Sequence, residues 1–237
     1  MLTLYFYTNL MLIILSAYIE YILGKYSWER YVYYSEKIVK LVNSCGTKVV
    51  VDGLEELKKL NLPVIFVSNH MSSLETLIFA AIIGKFLKFT YVVKKSLLYY
   101  PFLGRLIKFV NPIAVSRKEP KKDYFFVVKQ AKRLFFQKVS LVIFPQATRS
   151  KKIDEDKFSS LAIKLAKKFK LNIVPICVKT DFLSVGKIIK DIGRIYSQND
   201  VRIKIFPQIK FEEINKETNK KIIELFKSTL LQWGVYC

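Results

Sequence analysis

The chain contains 237 residues, of which 51% are hydrophobic and 25% are charged. This length and apolar content exclude an intrinsically disordered chain and a small disulfide-stabilised domain, and they allow one large or two small domains. The 40 lysine and arginine residues outnumber the 19 acidic residues and leave a net charge of +21. The surface therefore attracts polyanions such as anionic lipid headgroups, phosphorylated substrates or nucleic acid.

The first apolar stretch, residues 2–23, is long enough to cross a bilayer as a helix. A cleaved signal peptide would begin with basic residues and end at a small-residue cleavage site, and neither feature is present. Lys25 and Arg30 follow the stretch, which places the rest of the chain on the cytoplasmic side by the positive-inside rule. We therefore predict that residues 1–43 form a membrane-anchoring helical segment, as in a bacterial inner membrane.

Asn9 and Glu20 lie within this stretch, and both side chains are unfavourable at the bilayer centre. The alternative is a helix that lies in the membrane interface instead of spanning it. The sequence leaves both arrangements open.

After residue 43, short β-branched runs alternate with segments of helical periodicity, a pattern typical of an α/β domain. We predict strands at 48–51, 64–68, 90–93, 113–116, 141–144, 173–178 and 201–206. Helices are predicted at 74–85, 97–110, 122–137, 157–170 and 215–232. Several strands are continuous apolar runs, which indicates a sheet covered on both faces. The predicted fold of residues 44–237 is a single α/β domain with a mostly parallel central sheet covered by helices.

The chain has three cysteines and one histidine. Cys45, Cys177 and Cys237 form no C-x-x-C pair, and we interpret Cys45 and Cys177 as small buried apolar residues of a protein from a reducing compartment. Since His70 is the only imidazole, any mechanism or metal site that needs two imidazoles is excluded. We expect neither a metal nor another cofactor.

His70 comes directly after the predicted strand 64–68, where covered α/β sheets open their ligand crevice. A histidine can remove a proton from a hydroxyl group, and a carboxylate that accepts its other N–H stabilises the cation formed. Glu75 is the candidate partner if His70 lies in the loop and Glu75 in the first turn of the next helix. In the alternative interpretation, Ser72 and Glu75 form a helix capping box and His70 is an ordinary loop residue.

Four sequence blocks follow one another in the order of a known family. They are Asn69-His70 with Glu75, Pro101-Phe102-Leu103-Gly104 with 111–117, Phe144-Pro145-Gln146-Ala147-Thr148-Arg149-Ser150, and Ile173-Val174-Pro175-Ile176. Together they resemble the glycerolipid acyltransferases, specifically the 1-acyl-sn-glycerol-3-phosphate (lysophosphatidic acid) acyltransferases. The resemblance covers about residues 45 to 210.

This resemblance implies transfer of a fatty acyl group from acyl-CoA or acyl carrier protein to the sn-2 hydroxyl of lysophosphatidic acid. It implies His70 as general base and Glu75 as its orienting partner. It further assigns Arg117 and Arg149 to the phosphate of the acceptor. It places Thr148, Asn69 and Gly104 at the substrate, and the anionic membrane surface is the expected partner.

The chain departs from the family pattern at four positions. Glu75 replaces an Asp, Gln146 a Glu, Ala147 a Gly and Asn111 a Gly. Both former glycine positions allow left-handed backbone, which Asn tolerates better than Ala.

These departures leave two other functions open: an acyltransferase for another lysophospholipid or an amino-acid-linked lysolipid, and a non-catalytic lipid-binding homologue. A nucleic-acid-binding protein is disfavoured because the sequence has neither zinc-ligand spacing nor an RNA-binding aromatic motif.

Overall fold

The computed structural model describes residues 1–186 and 190–235. Seven strands in this part of the chain form one sheet with the order β1-β7-β6-β2-β5-β3-β4. They are β1 (Val49–Asp52), β2 (Ile65–Ser68), β3 (Phe89–Lys94), β4 (Ile113–Val115), β5 (Ser140–Ile143), β6 (Ile173–Lys179) and β7 (Val201–Ile205). All neighbouring strands are parallel except β6 and β7. The predicted mostly parallel sheet is confirmed, and each predicted strand matches an observed one within one residue at either end.

The helices of the described residues are α1 (Leu2–Ile22), α2 (Trp28–Ser44), α3 (Leu54–Lys58), α4 (Leu74–Ile82), α5 (Leu103–Phe109), α6 (Pro120–Phe136), α7 (Leu161–Phe169) and α8 (Thr218–Gln232). The helix predicted at 97–110 is wrong in its first half, where a 3-10 helix spans Lys95–Tyr99. Pro101 lacks the N–H that would continue a helix, and Phe102 has a positive φ of 56°. The chain therefore restarts as α5 after this break.

Helices cover both faces of the sheet and create two apolar cores. One core contains residues of α1, α2 and α4, and the other contains residues of α6, α7 and α8. The side chains of β2 alternate between them, with Phe66 in the first core and Ile65 and Val67 in the second. Burial on both faces explains why β2 and β5 are continuous apolar runs in the sequence.

Helix α1 packs along one side against α2 and α5. It buries Phe6, Leu10 and Ala17, while its opposite side exposes apolar residues that include Leu12. Among the described helices, α1 alone is long and apolar enough to cross a membrane.

The start of α2 holds a charged partner for α1. Arg30 Nε donates to Glu20 Oε2 at 2.7 Å, and its Nη2 atom donates to Oε1. This bidentate pair compensates the acidic side chain that is unfavourable in an apolar helix. Helix α2 packs mainly on α4, so the predicted anchoring segment 1–43 includes a helix that is part of the domain packing.

Substitution of Phe6 provides a test of how α1 packs on the domain. It is fully buried, and its ring contacts Phe182 edge to face at a centroid distance of 5.7 Å. Replacing Phe6 with Ala should lower the free energy of unfolding by about 3 to 5 kcal/mol in urea titrations, because it leaves a cavity. Leu12→Ala on the exposed side of the same helix is the control and should change it little. Equal effects of the two substitutions would show that α1 is not packed as described.

Candidate active site

The only histidine forms a hydrogen-bonded pair with a carboxylate. His70 follows β2 in a loop, and Glu75 lies in the first turn of α4 after the N-cap residue Ser73. The distance between His70 Nδ1 and Glu75 Oε1 is 2.8 Å. Because Nδ1 faces a carboxylate, the ring carries its hydrogen there and leaves the lone pair on Nε2. No protein atom in the described residues forms a hydrogen bond with Nε2, so this nitrogen is available to a substrate.

Glu75 is fully buried and accepts hydrogen bonds from several donors. The backbone N–H groups of Met71 and Ser72 donate to Oε1 at 2.7 Å and 3.0 Å. Thr180 Oγ1 donates to Oε2 at 2.7 Å, and Ser72 Oγ lies 3.0 Å from the same oxygen. Burial raises the pKa of Glu75, but the hydrogen bonds from His70 and Thr180 outweigh it and hold the pKa below its ordinary value. Glu75 is therefore a carboxylate when it orients His70.

The two interpretations of Ser72 and Glu75 turn out to be compatible. Glu75 accepts the backbone N–H groups that precede α4, as a capping residue does, and it also accepts His70 Nδ1. Sequence reasoning missed Thr180, which follows the carboxyl end of β6 beside β2. The only signal for Thr180 was its position two residues after the predicted strand 173–178.

An aromatic residue supports the imidazole from the side. Phe144 follows β5, and its ring stacks on His70 with a centroid distance of 4.3 Å and an interplanar angle of 26°. The loop after Phe144 is attached to the same histidine, since Ser150 N donates to the His70 carbonyl oxygen at 2.8 Å. The structure thereby brings the first and third sequence blocks together.

Arg117 reaches this loop from the end of β4. Its Nη1 atom donates to the carbonyl oxygen of Ala147 at 2.5 Å. Asp123 in the first turn of α6 accepts the backbone N–H groups of Ser116 and Arg117 at 3.0 Å and 2.7 Å. The residue as a whole is exposed, although partial burial of the guanidinium lowers the pKa of Arg117. No carboxylate of the described residues lies within salt-bridge distance, so the remaining donors of the guanidinium can bind an anion.

Arg149 and Thr148 make other contacts. Arg149 Nη1 forms a salt bridge with Asp191 Oδ1 at 2.5 Å. The Thr148 hydroxyl is exposed and donates to the carbonyl oxygen of Gln146 at 3.3 Å, a bond within the loop. Both side chains belong to the loop that follows β5, but of the two arginines only Arg117 is without a carboxylate partner among the described residues.

Asn69 and Gly104 have packing roles that the motifs did not indicate. Asn69 is buried, and its side-chain amide donates to and accepts from the backbone of Val178 at 2.8 Å in both bonds. A Cβ atom at Gly104 would lie 2.6 Å from the carbonyl oxygen of Leu98. Asn69 joins the ends of β2 and β6, and Gly104 lets α5 approach the preceding 3-10 helix. The substrate contacts of these two residues stay predictions.

The departures from the family pattern have visible structural consequences. Ala147 and Asn111 have positive φ values of 57° and 50°, so both positions adopt the left-handed backbone that the sequence indicated. Gln146 is buried and donates from Nε2 to the carbonyl oxygen of Lys152 at 2.9 Å. Its Oε1 atom has no hydrogen-bond partner in the described part of the chain.

A mostly apolar cavity of about 180 Å³ opens beside His70. His70, Arg117, Phe144 and Ala147 form one part of its lining. Side chains of α1, α2, α4, β3 and α5 line the remainder. The arrangement combines an imidazole, an arginine that has no carboxylate partner among the described residues, and an enclosed apolar space.

The family model described as Acyltransferase matches residues 48–179, more than half of the chain. The chain belongs to this acyltransferase family. The matched residues contain the His70 and Glu75 pair, both arginines and six of the seven strands, so the sequence blocks and the geometry agree on one family.

Named relatives are consistent with this assignment. The chain is 31% identical over 183 residues to a 1-acyl-sn-glycerol-3-phosphate acyltransferase of Borreliella burgdorferi, covering 75% of this chain and 69% of that protein. It is 30% identical over 150 residues to the Pseudomonas aeruginosa protein of the same name, covering 63% of this chain and 54% of that protein. The chain thus spans about half the length of the Pseudomonas protein and of other curated relatives.

The fold also matches a solved acyltransferase. The crystal structure of the 1-acyl-sn-glycerophosphate (LPA) acyltransferase PlsC from Thermotoga maritima aligns with a TM-score of 0.73. The alignment covers 100% of this chain and 96% of that one at 18% sequence identity. At this identity the similarity shows the fold alone.

The ionised state of Glu75 predicts an acid dependence of stability. The pKa of Glu75 is lower in the folded than in the unfolded protein, so ionisation of Glu75 stabilises the fold. This stabilisation is complete at pH values above 4.5, the ordinary pKa of a glutamate. That contribution is lost as the pH falls below 4.5 towards the lower native value. Urea titrations of wild type and Glu75→Gln at pH 7 and pH 4 should show a smaller loss of stability in the variant. The same loss in both would contradict the ionised state.

The left-handed backbone of Ala147 predicts a stabilising substitution. Ala147→Gly should raise the free energy of unfolding by about 1 kcal/mol, because glycine adopts positive φ without the clash of a Cβ atom. Thermal or urea unfolding measures the change. Ala114→Gly in β4, where φ is not positive, is the control and should destabilise; stabilisation by both would remove the conformational explanation.

Proposed function

We propose that the chain transfers a fatty acyl group from an acyl thioester to the sn-2 hydroxyl of 1-acyl-sn-glycerol-3-phosphate, which gives phosphatidic acid. The observation that carries this proposal is the hydrogen-bonded pair of His70 and Glu75, in which His70 lines the apolar cavity. The printed names of the Borreliella and Pseudomonas relatives support the same acceptor.

In this mechanism His70 Nε2 takes the proton of the sn-2 hydroxyl as the oxygen attacks the thioester carbonyl. A new C–O ester bond forms, the C–S bond breaks, and the thiol leaves with the proton that His70 returns. Glu75 stabilises the imidazolium through Nδ1. This route needs no acyl-enzyme, which suits a chain with a single histidine.

The acceptor's phosphate binds at the loop that follows β5. Arg117 lines the cavity and donates to the carbonyl oxygen of Ala147 in this loop, and Arg149 belongs to the loop itself. A guanidinium offers a phosphate two parallel charge-assisted hydrogen bonds. Thr148 is a further hydroxyl donor there. The acyl chain occupies the apolar cavity between α1 and the domain.

The membrane surface supplies the acceptor. The exposed side of α1 includes Leu4, Leu12 and Ile19. The exposed Phe102 adjoins this surface, since its ring contacts that of Tyr18 in α1 at a centroid distance of 5.2 Å. We place this apolar surface in the interface of the cytoplasmic leaflet, because basic residues follow α1 and the chain carries +21. Acyl-CoA and acyl carrier protein both fit as thioester donors.

The direct test is acyl transfer by purified protein in detergent micelles. Labelled acyl-CoA and acyl carrier protein are offered with a panel of lysolipids to wild type, His70→Ala and Lys164→Ala. Wild type should acylate 1-acyl-sn-glycerol-3-phosphate, and His70→Ala should lose at least about 10²-fold in rate because the base is absent. Lys164→Ala is a remote exposed control and should retain the rate.

Each contrary result has a defined meaning. If the wild type prefers another lysolipid, the proposed acceptor is wrong but the proposed acyl-transfer reaction still holds. An unchanged rate in His70→Ala would show that His70 is not the general base. No transfer to any acceptor from either donor would favour a lipid-binding homologue without turnover.

The placement of α1 makes a separate prediction about membrane binding. Leu12→Glu should weaken binding to vesicles of phosphatidylglycerol and phosphatidylethanolamine by at least about 10-fold, because it puts a charge into the apolar surface. Phe136→Glu is the matched control, since Phe136 is exposed at the end of α6 in the other layer. Vesicle sedimentation measures both, and equal losses would show that the membrane contacts a different face.

A further inference from the structure

One of the two arginines assigned to phosphate is already paired with a carboxylate of this chain. Arg149 Nη1 and Asp191 Oδ1 lie 2.5 Å apart. The two side chains retain exposures of 16% and 28%, so the pair lies in a crevice that solvent reaches. Within the described residues, no other carboxylate lies within 4 Å of the Arg149 guanidinium.

Contacts from two other elements hold Asp191 in this place. The Tyr100 hydroxyl donates to Asp191 Oδ2 at 3.0 Å. Burial and this hydrogen bond raise the pKa of Tyr100, so the hydroxyl remains a donor at neutral pH. Tyr7 of α1 fixes the adjacent backbone, since its hydroxyl donates to the carbonyl oxygen of Gly193 at 3.0 Å and accepts from Gly193 N at 2.7 Å.

Arg117 provides the contrast. Its guanidinium donates to the neutral carbonyl oxygen of Ala147 and has no carboxylate partner among the described residues. A carboxylate and a phosphate accept hydrogen bonds from a guanidinium in the same bidentate geometry. Asp191 Oδ1 takes Nη1 of Arg149, one of the donors that a phosphate would use, so the carboxylate competes with a phosphate for this arginine. On Arg117 the Nη1 atom meets a neutral carbonyl oxygen, and no carboxylate of the described residues competes there.

We propose that Asp191 is an affinity-determining residue that stands in for the acceptor's phosphate on Arg149 and is displaced when the acceptor binds. The inference rests on the proposed function and concerns how tightly the same site binds the acceptor's phosphate. If Arg149 is free of Asp191 for about one tenth of the time, the apparent affinity for a phosphate monoester is about 10-fold weaker than the intrinsic one. Only ligands that use Arg149 carry this penalty.

The test compares wild type with Asp191→Asn. Calorimetry measures the Kd of sn-glycerol 3-phosphate, and acyl transfer in micelles measures KM for 1-acyl-sn-glycerol-3-phosphate. Both constants should fall by about 3- to 10-fold in the variant. Asp154→Asn is the matched control: it removes the same charge from an exposed pair with Lys157 and should change neither constant.

The outcomes separate this proposal from the proposed function. A rise of the Kd in Asp191→Asn would mean that Asp191 positions Arg149 for phosphate, and an unchanged Kd would mean that the pair plays no part; either result overturns the proposal. Failure of glycerol 3-phosphate to bind either protein saturably overturns it as well. Tighter binding by the variant without acyl transfer by the wild type would uphold the role of Asp191 and refute the proposed reaction.

Discussion

The buried carboxylate of Glu75 accepts hydrogen bonds from His70, from two backbone N–H groups before α4, and from Thr180. A carboxylate without solvent contact is stable in its ionised form only when such donors surround it. The donors come from the end of β2, the start of α4 and the end of β6. The architecture around β2 is therefore constrained by the need to satisfy one charge.

The sheet order meets that constraint. β2 lies between β5 and β6 with both pairings parallel, so three carboxyl ends meet at one edge. They deliver His70 from β2, Phe144 and the following loop from β5, and Thr180 from β6. Asn69 joins β2 to β6 at this edge through Val178. The order of the strands thus determines the orientation of the imidazole. The loop after Phe144 is held to His70 by the hydrogen bond from Ser150 N to the His70 carbonyl oxygen.

Much of this could be predicted from the sequence because it depends on local chemistry. Apolar runs marked the strands, and His70 after a strand with Glu75 in the next helical turn marked the pair. The left-handed positions at Ala147 and Asn111 followed from the glycines that the motifs usually contain.

The remainder depends on which segments become neighbours. Thr180 and Asp191 are far from their partners in sequence, and only the strand order and the packing of α1 bring them together. The motifs also indicated that Asn69 and Gly104 lie near the site, but they did not indicate which segments these residues contact, so their packing roles could not be predicted. The break at Pro101 interrupts a segment whose apolar periodicity continues across it.

The central claim is that Glu75 fixes the proton of His70 on Nδ1 and leaves Nε2 as the base. Since the chain has one histidine, ¹⁵N-labelled histidine gives one pair of ring signals that need no assignment. In ¹H–¹⁵N spectra of the neutral imidazole, wild type should show the Nδ1–H tautomer, and Glu75→Gln should lose that preference. A dominant Nε2–H tautomer in the wild type would contradict the account.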